Sequence, residues 1–271
     1  MAAMKAAMVV IMATQAHAFF QAPSLPLRRA SSVLAPRARP FRMAVVDDKK
    51  EVKEYFNNEG FNRWSKIYSE SDDVNAVQKF IRSGHQQTID KVLAWIQEDG
   101  SAANGQTFCD AGCGVGSLAI PLAQMGAKVR ASDISEAMAN EGAARAANMD
   151  LKGSVTFETA DLESLNGSYD TVTCIDVLIH YPTEKMDSMV GHLCDIASKR
   201  FIISFAPFTP FYAALKFVGS LAPGPSKATR AYLHVESDVV AALEKRGFKV
   251  KRSEMTATNF YFSRLLEAVK E

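Results

Sequence analysis

Apolar positions recur at helical spacing through the first part of the chain that carries acids. Asp47 to Asn57 is charged and helical in pattern. Glu59 to Tyr68 places Phe61, Trp64, Ile67 and Tyr68 at i, i+3, i+6 and i+7. Val74 to Arg82 and His85 to Gln97 continue as two further helices, the second with Ile89, Val92, Leu93 and Ile96 on one face. From Thr107 the pattern changes to short apolar runs separated by helical stretches. Strands are predicted at Thr107 to Asp110, Lys128 to Asp133, Ser154 to Thr159, Asp170 to Asp176, Phe201 to Phe205, Phe248 to Arg252 and Phe260 to Val269. Helices are predicted at Leu118 to Met125, Glu136 to Met149 with Ser135 as N-cap, and Val239 to Arg246. Strands alternating with helices predict an α/β fold, a doubly wound, mostly parallel seven-stranded sheet preceded by a helical arm.

One turn in this pattern carries chemistry. The first strand ends in Asp110 and runs into Gly112, Gly114 and Gly116, so the backbone can turn tightly and approach a ligand. A glycine loop after a first strand is the nucleotide position of an open α/β sheet. A dinucleotide brings a pyrophosphate that the Asp110 carboxylate would repel. Its fingerprint also needs glycine at position 117, which is Ser117. S-adenosylmethionine brings an ammonium and a sulfonium, which a carboxylate attracts. Asp133 ends the second strand ~20 residues past the loop, where a ribose-binding acid belongs, with Ile134 beside it.

The loop resembles the D-x-G-x-G turn of class I methyltransferases, and the Asp161-Leu162 pair after strand three resembles the adenine-binding position of that superfamily. More specific segments flank it: Tyr55 to Trp64, Ile67-Tyr68, Ile81 to Thr88, Asp176 to Pro182, Ile203 to Pro207, Pro223 to His234 and Thr258 to Ala268. Together they resemble the magnesium-protoporphyrin IX O-methyltransferase family over residues 50 to 270, with Ser69 a departure where the family carries Gly. The resemblance implies methyl transfer from S-adenosylmethionine to a propionate of Mg-protoporphyrin IX, giving the monomethyl ester and S-adenosylhomocysteine in chlorophyll biosynthesis. The magnesium belongs to the substrate, so no protein metal site is implied.

A propionate is already an anion at neutral pH, with a reference pKa of ~4.3, so transfer needs alignment and exclusion of water rather than a strong base. Charge disperses as sulfonium and carboxylate neutralise each other, which favours neutral donors around the reacting oxygen. His180 and Tyr68 are the expected catalytic residues. Asp176, His85 and Arg82 are expected at the cofactor, His85 toward its methionine end and Arg82 at its carboxylate. Phe208 and Tyr212 are expected against the porphyrin plate, with Lys227 or Arg230 pairing the other propionate, in a lid over residues 205–234. The same aromatic stretch also fits an amphipathic core helix, or attachment to a plastid membrane surface.

The extension before the arm is different in kind. Within residues 1–18, Ala6 to Ala18 is an apolar run after a single Lys5 and ends Ala16-His17-Ala18, resembling a signal peptide, and residues 19–43 are rich in Arg, Ser and Pro without an acid, resembling a transit peptide. This predicts a bipartite plastid-targeting presequence, an arm at 44–100 and a core at 101–271, in the stroma or on the envelope or thylakoid. A net charge of +1 gives no electrostatic case for nucleic acid. The four cysteines, Cys109, Cys113, Cys174 and Cys194, lack zinc-ligand spacing and read as buried thiols. Two other functions keep the loop: a methyltransferase of a quinone or phenol, which needs a base, and a non-catalytic porphyrin-binding regulator in contact with magnesium chelatase.

Overall fold

The computed structural model describes residues 48–69, 73–98, 103–213 and 231–271. The presequence at 1–43 and the substrate cations Lys227 and Arg230 lie outside the described residues.

Seven strands form one sheet: β1 (Thr107–Ala111), β2 (Lys128–Asp133), β3 (Ser154–Thr159), β4 (Tyr169–Cys174), β5 (Ala197–Phe205), β6 (Phe248–Ala257) and β7 (Phe262–Lys270). Their order is β3-β2-β1-β4-β5-β7-β6. The first five pair in parallel, and β7 lies antiparallel between β5 and β6. Strand order reverses between β1 and β4, which opens a crevice at the carboxyl ends of the strands. Asp110 stands there, in register with Ala131 of β2 and Thr173 of β4.

Side-chain alternation along the strands feeds two cores, because both faces are covered. Phe108, Ile202 and Leu265 point to one core, and Cys109, Phe201, Ile203 and Leu266 to the other. Each such fully buried side chain contributes about 1.5–3 kcal/mol. The helices are α1 (Asp48–Asn57), α2 (Glu59–Ile67), α3 (Ala76–Glu98), α4 (Ala119–Gln124), α5 (Glu136–Ala146), α6 (Thr183–Ile196) and α7 (Glu236–Glu244). Ser135 caps α5 as expected, its hydroxyl accepting from the Met138 N–H at 3.2 Å.

Four differences from the sequence pattern have physical causes. The two helices expected at Val74 to Arg82 and His85 to Gln97 are one, α3, running through Gly84. This glycine serves close approach rather than a break, since a Cβ there would lie 2.3 Å from Cδ1 of Tyr261. The second half of α3 is a core layer rather than an appendage, because Ile89, Val92, Trp95 and Ile96 pack with α4 and β7. Helix α6 has no counterpart in the sequence reading, although Met186, Met189, Val190 and Leu193 form a buried stripe. Strands β5 and β6 run four or five residues beyond their apolar runs because ladder pairing with β4 and β7 continues through polar positions. The four cysteines are free and buried. Among the described residues no helix is long and apolar enough to cross a membrane.

Candidate active site

The crevice between β1 and β4 deepens into a cavity floored by the glycine loop and roofed by α1, by Tyr68 just after α2 and by His85 and Ile89 in the middle of α3. Gly112 has φ +81°, and a Cβ on it would meet the Val177 side chain at 2.2 Å, so the loop admits only glycine there. Asp133 ties the loop to the tip of β2: one carboxylate oxygen accepts from Gly114 N–H at 2.9 Å, the other from Ser135 N–H at 2.8 Å. Asp110 Oδ1 accepts from the Thr173 hydroxyl at 2.7 Å, while Oδ2 is buried without a partner. Burial pushes the Asp110 carboxyl up to about 6, with Thr173 opposing and Asp133 adding to the rise. Burial also raises Asp133, against its two backbone hydrogen bonds.

Across the cavity, His85 Nδ1 lies 2.8 Å from Asp176 Oδ2, and His85 Nε2 is buried and unpartnered. The Tyr68 ring rests on His85 with centroids 4.4 Å apart, and Phe56 meets His180 edge-on at 5.4 Å. Burial drives His180 down to about 4, so its imidazole is neutral at neutral pH. Burial, with Asp176 and Asp133 near, raises the Tyr68 phenol, which stays protonated. The site therefore offers two neutral groups beside the two acids at the glycine loop.

The roof is tied down from three sides. Asn57 Oδ1 accepts from the Ser135 hydroxyl at 3.0 Å and from Ala137 N–H at 3.2 Å at the start of α5. Arg145 of α5 donates to the carbonyls of Tyr68 at 2.8 Å and Ser65 at 3.3 Å. Arg82 of α3 donates to the carbonyls of Ile67 at 2.7 Å and Lys66 at 2.8 Å. A helix leaves its last carbonyls without intrahelical partners, and two guanidinium groups satisfy them at the end of α2.

Of the residues expected at the site, Tyr68, His85, Asp110, Gly112, Gly114, Asp133, Ile134, Leu162, Asp176 and His180 line this one cavity. Others lie elsewhere. Arg82 is spent on the α2 carbonyls and faces a wider groove of about 1130 Å³, which Gly116 also lines. Asp161 caps the turn at Leu162–Ser164 and binds Lys49 Nζ at 2.9 Å, so Leu162 alone of that pair reaches the cavity. Phe208 is half exposed, and Tyr212 stacks on Phe262 at 4.5 Å; neither lines the cavity.

Residues 174–270 match the family described as magnesium-protoporphyrin IX methyltransferase C-terminus, and residues 108–199 match a general methyltransferase domain. The chloroplastic magnesium protoporphyrin IX methyltransferase of Arabidopsis thaliana is 57% identical over 223 residues, 82% of this chain and 71% of that one. The chain belongs to the magnesium-protoporphyrin IX methyltransferase family. A Synechocystis member, magnesium-protoporphyrin O-methyltransferase, is 54% identical over 228 residues, 84% of this chain and 98% of its own length. The crystal structure of the Synechocystis PCC 6803 enzyme with bound S-adenosylhomocysteine superposes with a TM-score of 0.76 at 52% identity, covering 82% of this chain and all of that one.

Several lining residues of this methyltransferase escaped the sequence reading. Lys49, Val52 and Phe56 reach the cavity from α1, and Tyr181 and Lys185 from the start of α6. Val52 and Phe56 stand i, i+4 on an otherwise charged helix, a signal present in the sequence and unused. Lys185 carries no such signal, because it is an exposed surface-type lysine that only the start of α6 brings to the cavity's edge.

Proposed function

We propose that this protein transfers the methyl group of S-adenosylmethionine to a propionate carboxylate of Mg-protoporphyrin IX; relatives named magnesium-protoporphyrin O-methyltransferase support the porphyrin and the oxygen acceptor. A carboxylate lone pair forms the O–CH3 bond as the S–CH3 bond breaks, and that electron pair stays on sulfur. The products are the monomethyl ester and S-adenosylhomocysteine, and no proton is transferred.

The observation that carries this reading is the coincidence of family and site. The segment matched by the Mg-porphyrin-specific profile begins at Cys174 and supplies Asp176, His180 and Tyr181 to the cavity that the glycine loop floors. Asp110 fits the cofactor ammonium, since its buried Oδ2 lacks a partner and an unpaired buried carboxylate oxygen is costly. Asp133 fits the ribose and Leu162 the adenine. His180 and Tyr68, both neutral, orient the reacting carboxylate in line with the methyl group without holding back its charge. In this reading Lys227 or Arg230 pairs the other propionate, and the protein works in the plastid. Lys49, held by Asp161 and Glu163, and Lys185 are cations among the described residues that line the cavity.

The test is label transfer from S-adenosylmethionine with the purified protein, offered Mg-protoporphyrin IX, metal-free protoporphyrin or a quinone precursor. Label in a base-labile ester of the Mg-porphyrin is expected. Label confined to the quinone product would overturn the reading.

A further inference from the structure

Along one wall of the cavity lies a hydrogen-bond cluster that methyl transfer does not itself require. Asp176 follows β4 at φ +60°, and among the described residues it is the one non-glycine with positive φ. Such a conformation costs of order 1 kcal/mol or more and persists only where surrounding contacts determine it. Those contacts are numerous. The Asp176 N–H donates to Ser204 Oγ at 2.8 Å, and Ser204 Oγ donates back to Oδ1 at 3.0 Å. The Tyr261 hydroxyl is 2.9 Å from both carboxylate oxygens, Ser263 Oγ is 3.3 Å from Oδ1, and His85 Nδ1 holds Oδ2. The carboxylate is thus saturated and acts as a hub rather than as a ligand-binding acid.

We propose that Tyr261 is a positioning residue of this cavity, holding Asp176 so that His85 presents Nε2 to the carboxylate of the cofactor's methionine end. The inference rests on the reading that the cavity takes S-adenosylmethionine. Three polar atoms of residues that line the cavity are buried without partners, Asp110 Oδ2, His85 Nε2 and His180 Nδ1; the first two lie on residues at the glycine loop and at the Asp176 cluster. Asp110 Oδ2 is an acceptor for the ammonium of an α-amino acid, and His85 Nε2 is a ring nitrogen whose orientation is fixed by the contact of Nδ1 with Asp176, leaving it for the carboxylate.

The molecule is shaped to receive Tyr261. It sits in the β6–β7 turn, where its carbonyl accepts from Thr258 N–H at 2.8 Å and Thr258 Oγ1 donates to the Phe80 carbonyl at 3.2 Å. Its ring lies where a Cβ on Gly84 would be, and its hydroxyl is 2.9 Å from Thr88 Oγ1, one turn further along α3. Burial and the Asp176 charge keep the phenol protonated, so its hydrogen goes to the carboxylate. Burial opposes ionisation of Asp176, but the His85 contact and the two hydroxyls hold its carboxyl below the usual range, as a charged hub requires.

Calorimetric titration of the whole protein with S-adenosylhomocysteine tests this, comparing wild type, Tyr261→Phe, His85→Ala and the double variant. Tyr261→Phe should weaken binding about tenfold and leave the KM for Mg-protoporphyrin unchanged. The double variant should bind no more weakly than His85→Ala alone, because both act through Nε2. Gly84→Ala keeps the phenol but displaces its ring, and should weaken the same binding. Unchanged affinity in Tyr261→Phe, or losses that multiply in the double variant, would overturn the inference. A wild type that takes no S-adenosylhomocysteine refutes the cofactor reading, and this inference with it.

Discussion

The floor and the roof of the cavity are built by different means. The floor is made by neighbours in sequence: Asp133 clasps Gly114 through a main-chain N–H, 19 positions apart, on two adjacent parallel strands. The roof is made by residues far apart. Arg145 reaches Tyr68 across 77 positions, and His85 reaches Asp176 across 91. The floor therefore forms wherever the first strands form, and its chemistry is charge. The roof exists only when arm, core helices and the β6–β7 turn have all docked, and the Tyr68 phenol it carries stays neutral, as does the His180 imidazole beside it. A cation-binding floor facing a neutral phenol and imidazole suits a reaction in which opposite charges neutralise each other.

That contrast breaks most sharply at the two acids and the two donors. Asp110→Asn keeps shape and removes charge. Affinity for S-adenosylmethionine should fall about a hundredfold, as expected when one partner of a buried charged contact is lost, by calorimetry or fluorescence titration. His180→Ala should do the reverse. Turnover at saturating substrates should fall about a hundredfold, the scale of lost alignment, with the dissociation constant for S-adenosylhomocysteine within about twofold of wild type. If both variants lost affinity equally, the separation of floor from roof would be wrong.

Acidity sharpens the same comparison. Asp110 sits near 6, above its ordinary value of 3.8, so the folded protein holds a proton there that the unfolded chain has released. Purified without cofactor, the protein should therefore lose stability as pH rises from about 4 to about 6, measured by thermal unfolding. The cofactor ammonium needs the ionised form. Affinity for S-adenosylhomocysteine should fall about tenfold from pH 7 to pH 5, and Asp110→Asn should abolish that slope. His180, near 4, stays neutral over the same range, so turnover by the fully loaded enzyme should be flat.

The smallest effect belongs to the clamp. Arg145→Ala removes two carbonyl contacts from α2 and should reduce kcat/KM for the porphyrin about fivefold, consistent with about 1 kcal/mol. Combined with Tyr68→Phe it should cost less than the product of the two, since Arg145 acts by placing Tyr68.

The sequence was most informative where periodicity and charge are local. The strand at Lys128 to Asp133, the cap at Ser135 and the acids at the two strand ends stand where their pattern put them. The glycine loop was legible because φ above zero and close approach demand glycine. The partners of Arg82 were not legible, because a guanidinium suits any carbonyl or carboxylate and only the docked α2 shows which carbonyls it takes. Those of Asp161 were not legible either, because its ion pair to Lys49 is 112 positions long. Gly84 read as a boundary between helices because the ring that needs its empty space lies far along the chain.

The clamp on α2 has a consequence for how this molecule can change over generations. Its four acceptors are main-chain carbonyls, which every amino acid possesses. Substitutions at Ser65 and Lys66 leave the attachment intact, so drift along that turn is nearly neutral with respect to roof placement. The burden of constancy falls on two donors in other helices, Arg82 and Arg145. The end of α2 is thereby free to explore new contacts with incoming substrates while the roof keeps its seat.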